Sequence, residues 1–106
     1  MITISYHAKS QIETRAVCTV REVQEAVTQH LGGKQLKHRE AKIIVKSLPS
    51  YVVLPDGSNG TIVIACVDTR TLVVKTVMLQ RRSQVIRKSK VRSSEYIYLN
   101  ISEVLK

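Results

Sequence analysis

At 106 residues the chain can bury one core but is too short for two domains of ordinary size. Hydrophobic residues make up 43%, without Phe or Trp, so Val, Ile, Leu, Ala and four Tyr must build that core, and no apolar run approaches the roughly 18 residues of a membrane span. Seventeen Lys and Arg against eight acids leave a net charge of +9, which points to polyanions, nucleic acid first and an acidic protein partner second. The opening ITISYHAKSQ lacks the basic-then-apolar order of a signal peptide, and the two cysteines, Cys18 and Cys66, sit inside apolar runs. Two such thiols read as small buried hydrophobes rather than a disulfide framework. A soluble protein of the reducing cytoplasm is expected, with no membrane partner.

ITIS predicts a short strand. From Tyr6 to Val17 the apolar residues Ala8, Ile12 and Ala16 recur at i, i+4 and i+8, the narrow stripe of a first helix that turns Lys9, Glu13 and Thr14 elsewhere. Thr19 and Glu22 have the spacing of a capping box, so a second helix begins there. Val20, Val23, Val27 and Leu31, helped by Ala26, form its buried face, Arg21 and Glu25 make an exposed pair, and Gly32-Gly33 end it.

The pattern then turns strand-like. AKIIVKSL and SYVVL are separated by Pro49, and PDGSNG supplies a turn. TIVIACV is apolar almost throughout, as a central strand covered on both faces would be. DTRT is a tight turn into LVVKTVML, where simple alternation puts Leu72, Val74, Thr76 and Met78 on one face and Val73, Lys75, Val77 and Leu79 on the other. EYIYLNI alternates Tyr96 and Tyr98 against Ile97, Leu99 and Ile101, predicting a further strand at the sheet edge or added to a partner. The expected fold is α+β: two N-terminal helices packed on a curled, mainly antiparallel sheet of four to five strands.

Charge is concentrated at one end. Residues 1–80 carry ten basic and six acidic side chains, while residues 81–106 carry seven basic and two acidic. Within that end RRSQVIRKSKVR, residues 81–92, has six cations and no acid, a run suited to several phosphate contacts or, more plainly, to a solvated connector. Arg81, Arg82, Arg87, Lys88, Lys90 and Arg92 are the candidate RNA contacts there, joined by Lys9 in the first helix. Only Tyr96 and Tyr98 among the four tyrosines are spaced to share a strand face as a stacking platform.

The segment HAKSQIETRAVCTVREVQEAV, with His-Ala, Ile12, Arg15, Val17 and a capped second helix before the sheet, resembles a small bacterial domain family of unknown function. That family is grouped with barnase, colicin-D and RelE-like ribonuclease toxins. TIVIACVDTRTLVVKTVMLQRR is similar to the family's closing hairpin. The resemblance covers residues 3–82, implying a toxin-like domain over 1–82, and leaves 83–106 as a basic C-terminal extension in which an added strand is expected. It implies a metal-independent endoribonuclease of a toxin–antitoxin system, with RNA as substrate, an acidic antitoxin as partner, no cofactor and no metal. By the same resemblance His7, Arg15 and Thr76 are the catalytic positions.

Such ribonucleases need a proton acceptor, a proton donor and cations for the phosphate oxygens. The dipole at a helix start disfavours a charged imidazole, so His7 suits a proton acceptor, while a bound phosphate would push the other way. Arg15 lies eight residues on, roughly 12 Å along an ideal helix and about 80° round it, and so serves an adjacent nucleotide rather than the same phosphate. Lys9 and Arg81 are further candidates for oxygen contacts by charge and placement. Each residue also has a plainer reading: a surface histidine, an arginine paired with a carboxylate such as Glu22, a threonine that fits the pleat. A non-catalytic nucleic-acid-binding or protein-binding module is therefore the alternative. His30 and His38 lack partners at zinc-ligand spacing, and Asp56, Asp68 and Arg70 echo a metal nuclease without its lysine.

Overall fold

A strand made only of apolar side chains needs cover on both faces, and TIVIACV receives it. The computed structural model describes residues 2–49 and 61–105, so SYVVL, with Tyr51, and the turn PDGSNG lie outside the described residues. In chain order the elements are β1 (Thr3–Ile4), α1 (Tyr6–Arg15), α2 (Val20–Leu31), β2 (Glu40–Ser47), β3 (Ile62–Asp68), β4 (Val73–Gln80), α3 (Arg82–Ser89), β5 (Tyr96–Leu99) and α4 (Ser102–Leu105). Ile62 to Val67 are each at most 1% exposed. Val63, Ala65 and Val67 face a cluster with Ala8 and Ile12 of α1 and Val23, Val27 and Leu31 of α2. Ile62, Ile64 and Cys66 face the other way, onto Val85 of α3, Tyr98 of β5 and Val104 of α4.

The protein is thus α+β, with an open five-stranded sheet in the order β1-β4-β3-β2-β5. The ladders β2–β3 and β3–β4 are antiparallel, and the short edge strands β1 and β5 run parallel to β4 and β2. Two parallel edges make the sheet mixed, and the extended segment EYIYLNI takes its place as an edge strand.

Local signals explain both N-terminal helices. Ser5 caps α1 by accepting a hydrogen bond from the Ala8 amide. The helix ends at Arg15, because Ala16 turns left-handed (φ 54°) as its cap, so Ala16 is exposed and drops out of the expected buried stripe. Thr19 and Glu22 form the reciprocal capping box of α2, and Arg21 bonds Glu25 at 3.1 Å. Gly33 at φ +76° supplies the turn after Gly32 closes the helix.

The face assignment expected for β4 changes at one residue. The β3–β4 register shifts so that Cys66 pairs with Thr76 and Val67 with Val74, leaving Lys75 without a counterpart on β3. One extra residue reverses the alternation. Val74, Val77 and Leu79 consequently join the cluster beneath α1 and α2, whereas Met78 joins the opposite one, so Val74 and Thr76 do not share a face as simple alternation required.

Residues 81–92, a charged run in the sequence, contain a helix that is concealed because only the adjacent Val85 and Ile86 are apolar within it. Val85 is fully buried and Ile86 half-buried, while Arg87 and Arg82 stay exposed. Among the described residues no helix is long and apolar enough to cross a membrane.

Glu22 also receives Lys46 of β2, at 3.0 Å, tying α2 to the sheet. The Lys46 ammonium, with the Thr19 amide and hydroxyl, outweighs the small cost of burial and holds the Glu22 carboxyl below its ordinary range. A carboxyl whose folded pKa is depressed stabilises the fold above its unfolded value and loses that contribution as pH falls through the folded one. Urea unfolding from pH 7 down to pH 3 should therefore show stability falling once the pH drops below about 4.3, and less steeply in Glu22→Gln than in the wild type. An identical acid limb in both would contradict the assignment.

Candidate nucleic-acid interface

The opening helix meets the sheet along the outer edge of β4. β1 covers that edge only at Val73 and Val74. Beyond them, α1 side chains supply the partners a neighbouring strand would have provided. Ser5 Oγ donates to the Lys75 carbonyl at 3.0 Å, and Arg15 Nη1 donates to the Val77 carbonyl at 3.1 Å. Gln11 Oε1 accepts from the Val77 amide at 2.8 Å and from the Thr76 hydroxyl at 2.5 Å. Unpaired strand edges are sites of unwanted pairing, and here the helix blunts one.

Of the expected catalytic trio, Arg15 and Thr76 therefore come together, bridged by Gln11 and Val77. Both are half-buried and both spend hydrogen bonds on the seam. Arg15 does not pair with Glu22, whose carboxylate is taken by Lys46 and Thr19. His7 stands exposed in the first turn of α1, one turn before Gln11 on the same side of the helix. Lys9 is exposed on the same helix. Arg81 occupies the position before the first turn of α3, five residues and roughly 17 Å of strand beyond Thr76, so it does not join that seam.

The cations of residues 81–92 are arranged by α3. Val85, buried against Ile62 and Ile64, faces the sheet, and Arg82, Arg87, Lys90 and Arg92 are exposed, with Lys88 half-buried. Arg87 and Lys88 occupy the last turn, where they also complement the helix dipole. The stretch itself contains no Asp or Glu.

A second polar group occupies the part of the sheet face that α3 and α4 leave open. Glu40 bridges two lysines, Lys42 at 3.5 Å and Lys75 at 3.4 Å. The Lys42 ammonium lies 5.6 Å from the centre of the Tyr96 ring, and Tyr96 meets Tyr98 edge-on with centroids 5.9 Å apart. Burial works against the charge on Lys42, yet its pKa lies above the ordinary value, with Cys66 contributing only where its own thiol ionises and Glu40 at any pH where its carboxylate is charged. Burial pushes the Cys66 thiol up to about 11, so it is neutral at physiological pH and Glu40 is the operative partner of Lys42. Neither Cys66 nor the buried Cys18, whose thiol burial also raises, is an activated nucleophile.

Beside the tyrosines lies a groove of about 370 Å³ between β5 and the segment following α3, lined by His38, Arg92, Ser93, Tyr96 and Tyr98 among others. The buried Nδ1 of His38 has no hydrogen-bond partner among the described residues, a state that ordinarily costs about 1–3 kcal/mol. Among the described residues no three His, Cys, Asp or Glu side chains converge to hold a metal ion. Lys42, Lys75, Glu40 and Gln11 escaped the sequence reading because each sits singly in an apolar or mixed run. Only Gln11, midway between His7 and Arg15 at helical spacing, carried a local signal.

No protein-family model matches the chain, and no curated protein or solved structure matches it.

The seam separates residues that hold the fold from residues that decorate it. Gln11→Leu strands the Val77 amide and the Thr76 hydroxyl, and should lower unfolding stability by about 1–3 kcal/mol, whereas His7→Ala should stay within about 0.5 kcal/mol of wild type in the same urea titration. Equal effects of the two substitutions would contradict this division.

Proposed function

We propose that the protein binds RNA through its basic helix, as a toxin-like RNA-acting module whose opening helix serves mainly to hold the sheet. The observation that carries this reading is α3 itself: a helix anchored by fully buried Val85 within a stretch of six cations and no acid. A cation on a fixed element loses less freedom when it meets a phosphate than one on a floppy tail, so the same charges bind more tightly. Release of counterions from the nucleic acid then supplies most of the affinity. Lys42 and Lys75, on the open part of the sheet face, share the single carboxylate of Glu40, so that cluster adds one net positive charge beyond the helix.

The toxin resemblance adds a second reading, metal-independent cleavage with His7 moving the proton and Arg15 steadying a phosphate, held in check by an acidic antitoxin. What favours it is the exposure of His7 one turn from the Arg15–Gln11–Thr76 seam, where among the described residues one of the five Arg15 guanidinium donors has a hydrogen bond to the sheet.

Fluorescence anisotropy with a labelled single-stranded RNA across a salt series tests the binding reading. Affinity should fall with a log–log slope of about −2 to −4, corresponding to some three to six phosphate contacts, and Arg87→Glu with Lys88→Glu should weaken binding at least tenfold. A flat salt dependence, or no binding at low salt, would sink it. Parallel incubation with total RNA in a chelator separates the two readings: cleavage by wild type that His7→Ala abolishes would establish the enzyme.

A further inference from the structure

The groove beside β5 differs in kind from two other concavities among the described residues. One of those is lined by three carboxylates, Glu22, Glu25 and Glu103, which would repel a phosphate chain. The other has no charged residue in its lining. The β5 groove alone among these three combines aromatic rings, an imidazole and a guanidinium.

We infer that this groove receives one nucleobase of a single-stranded RNA, with Tyr96 and His38 as its flat walls and Arg92 holding the adjoining phosphate; this rests on the RNA-binding reading above. Its volume, about 370 Å³, lies at the small end of ligand sites, which suits one planar ring better than a folded peptide. Tyr96 is held in place from two sides, by the Tyr98 ring and by the Lys42 ammonium, so stacking on it costs little further ordering. Every base has a π-face, so a tyrosine wall recognises single strands without demanding a sequence.

Hydrogen-bonding groups for the edge of a base are also present. Ser93 Oγ accepts from the Glu95 amide and keeps its own proton to donate. His38, in the lining of the groove, carries a buried Nδ1 with no hydrogen-bond partner among the described residues, so its imidazole is not tied to another side chain there. Arg92 is exposed at the end of the cationic run of residues 81–92, so a strand lying along α3 arrives at the groove without crossing an acidic surface on that segment.

The test compares a labelled single-stranded RNA with the same chain carrying abasic residues, against wild type, Tyr96→Leu and Arg92→Ala. Tyr96→Leu should weaken the normal RNA about tenfold while leaving the salt slope unchanged, and should not alter binding of the abasic chain. Arg92→Ala should reduce the slope by about 0.7, the share of one phosphate contact on a single strand. In the wild-type protein, without any substitution, ring-proton resonances of Tyr96 and His38 should shift on adding the normal RNA and stay in place with the abasic one. Salt-sensitive binding that is identical for both RNAs, with those resonances unmoved, would overturn the groove and leave the basic helix as the whole interface. Absence of binding to either RNA would overturn the RNA-binding reading itself and the groove with it.

Discussion

Everything in this fold answers to the double-sided burial of β3. Six consecutive apolar residues cannot be left against water on either face, and burying one such branched side chain is worth about 1.5–3 kcal/mol. One layer of helix satisfies only half of them. The helices α1 and α2 cover Val63, Ala65 and Val67; the remaining half, Ile62, Ile64 and Cys66, forces the chain beyond β4 back over the sheet. That return is what converts a stretch of arginines and lysines into α3. The positive surface is therefore a product of core packing: Val85 goes in because the sheet needs it, and the cations around it have nowhere to go but out.

The second constraint is the free edge of β4. An extra residue at Lys75 changes which backbone groups face outward, and the polar side chains of α1 meet them. Residues that look chemical in a sequence, an arginine and a glutamine spaced along a helix and a threonine on a strand, are here donors and acceptors for an edge. Such a seam is also a good place to mount function, because its members are rigid. Rigidity alone is no evidence of reaction, and the exposed His7 is the residue on which a catalytic account depends.

Much of the fold was legible because it rests on local rules. The Thr19–Glu22 box, the Val23–Val27–Leu31 face and the Gly-Gly stop are short-range signals, and the structure keeps all three. The apolar run of β3 announced burial on both sides. What stayed hidden depends on distant partners. In α3 only Val85 and Ile86 among eight residues are apolar, too few to show a helical period, and its helix forms because β3 and α4 receive Val85. The shift at Lys75 leaves no mark in LVVKTVML, since either register keeps valines inside. The pairing of β5 with β2, and hence the gathering of Tyr96, Lys42 and Glu40, is a long-range parallel contact that no spacing encodes.

Whether the polycationic segment is a docked helix or a solvated tail is the point from which the functional reading follows, and amide hydrogen exchange measures it directly. If α3 is held by Val85 against β3, the amides of Val85, Ile86 and Arg87 should exchange only through large-scale opening, with protection approaching that of the β3 amides. Exchange of those three amides at the rate of an unstructured peptide, while β3 stays protected, would contradict the account.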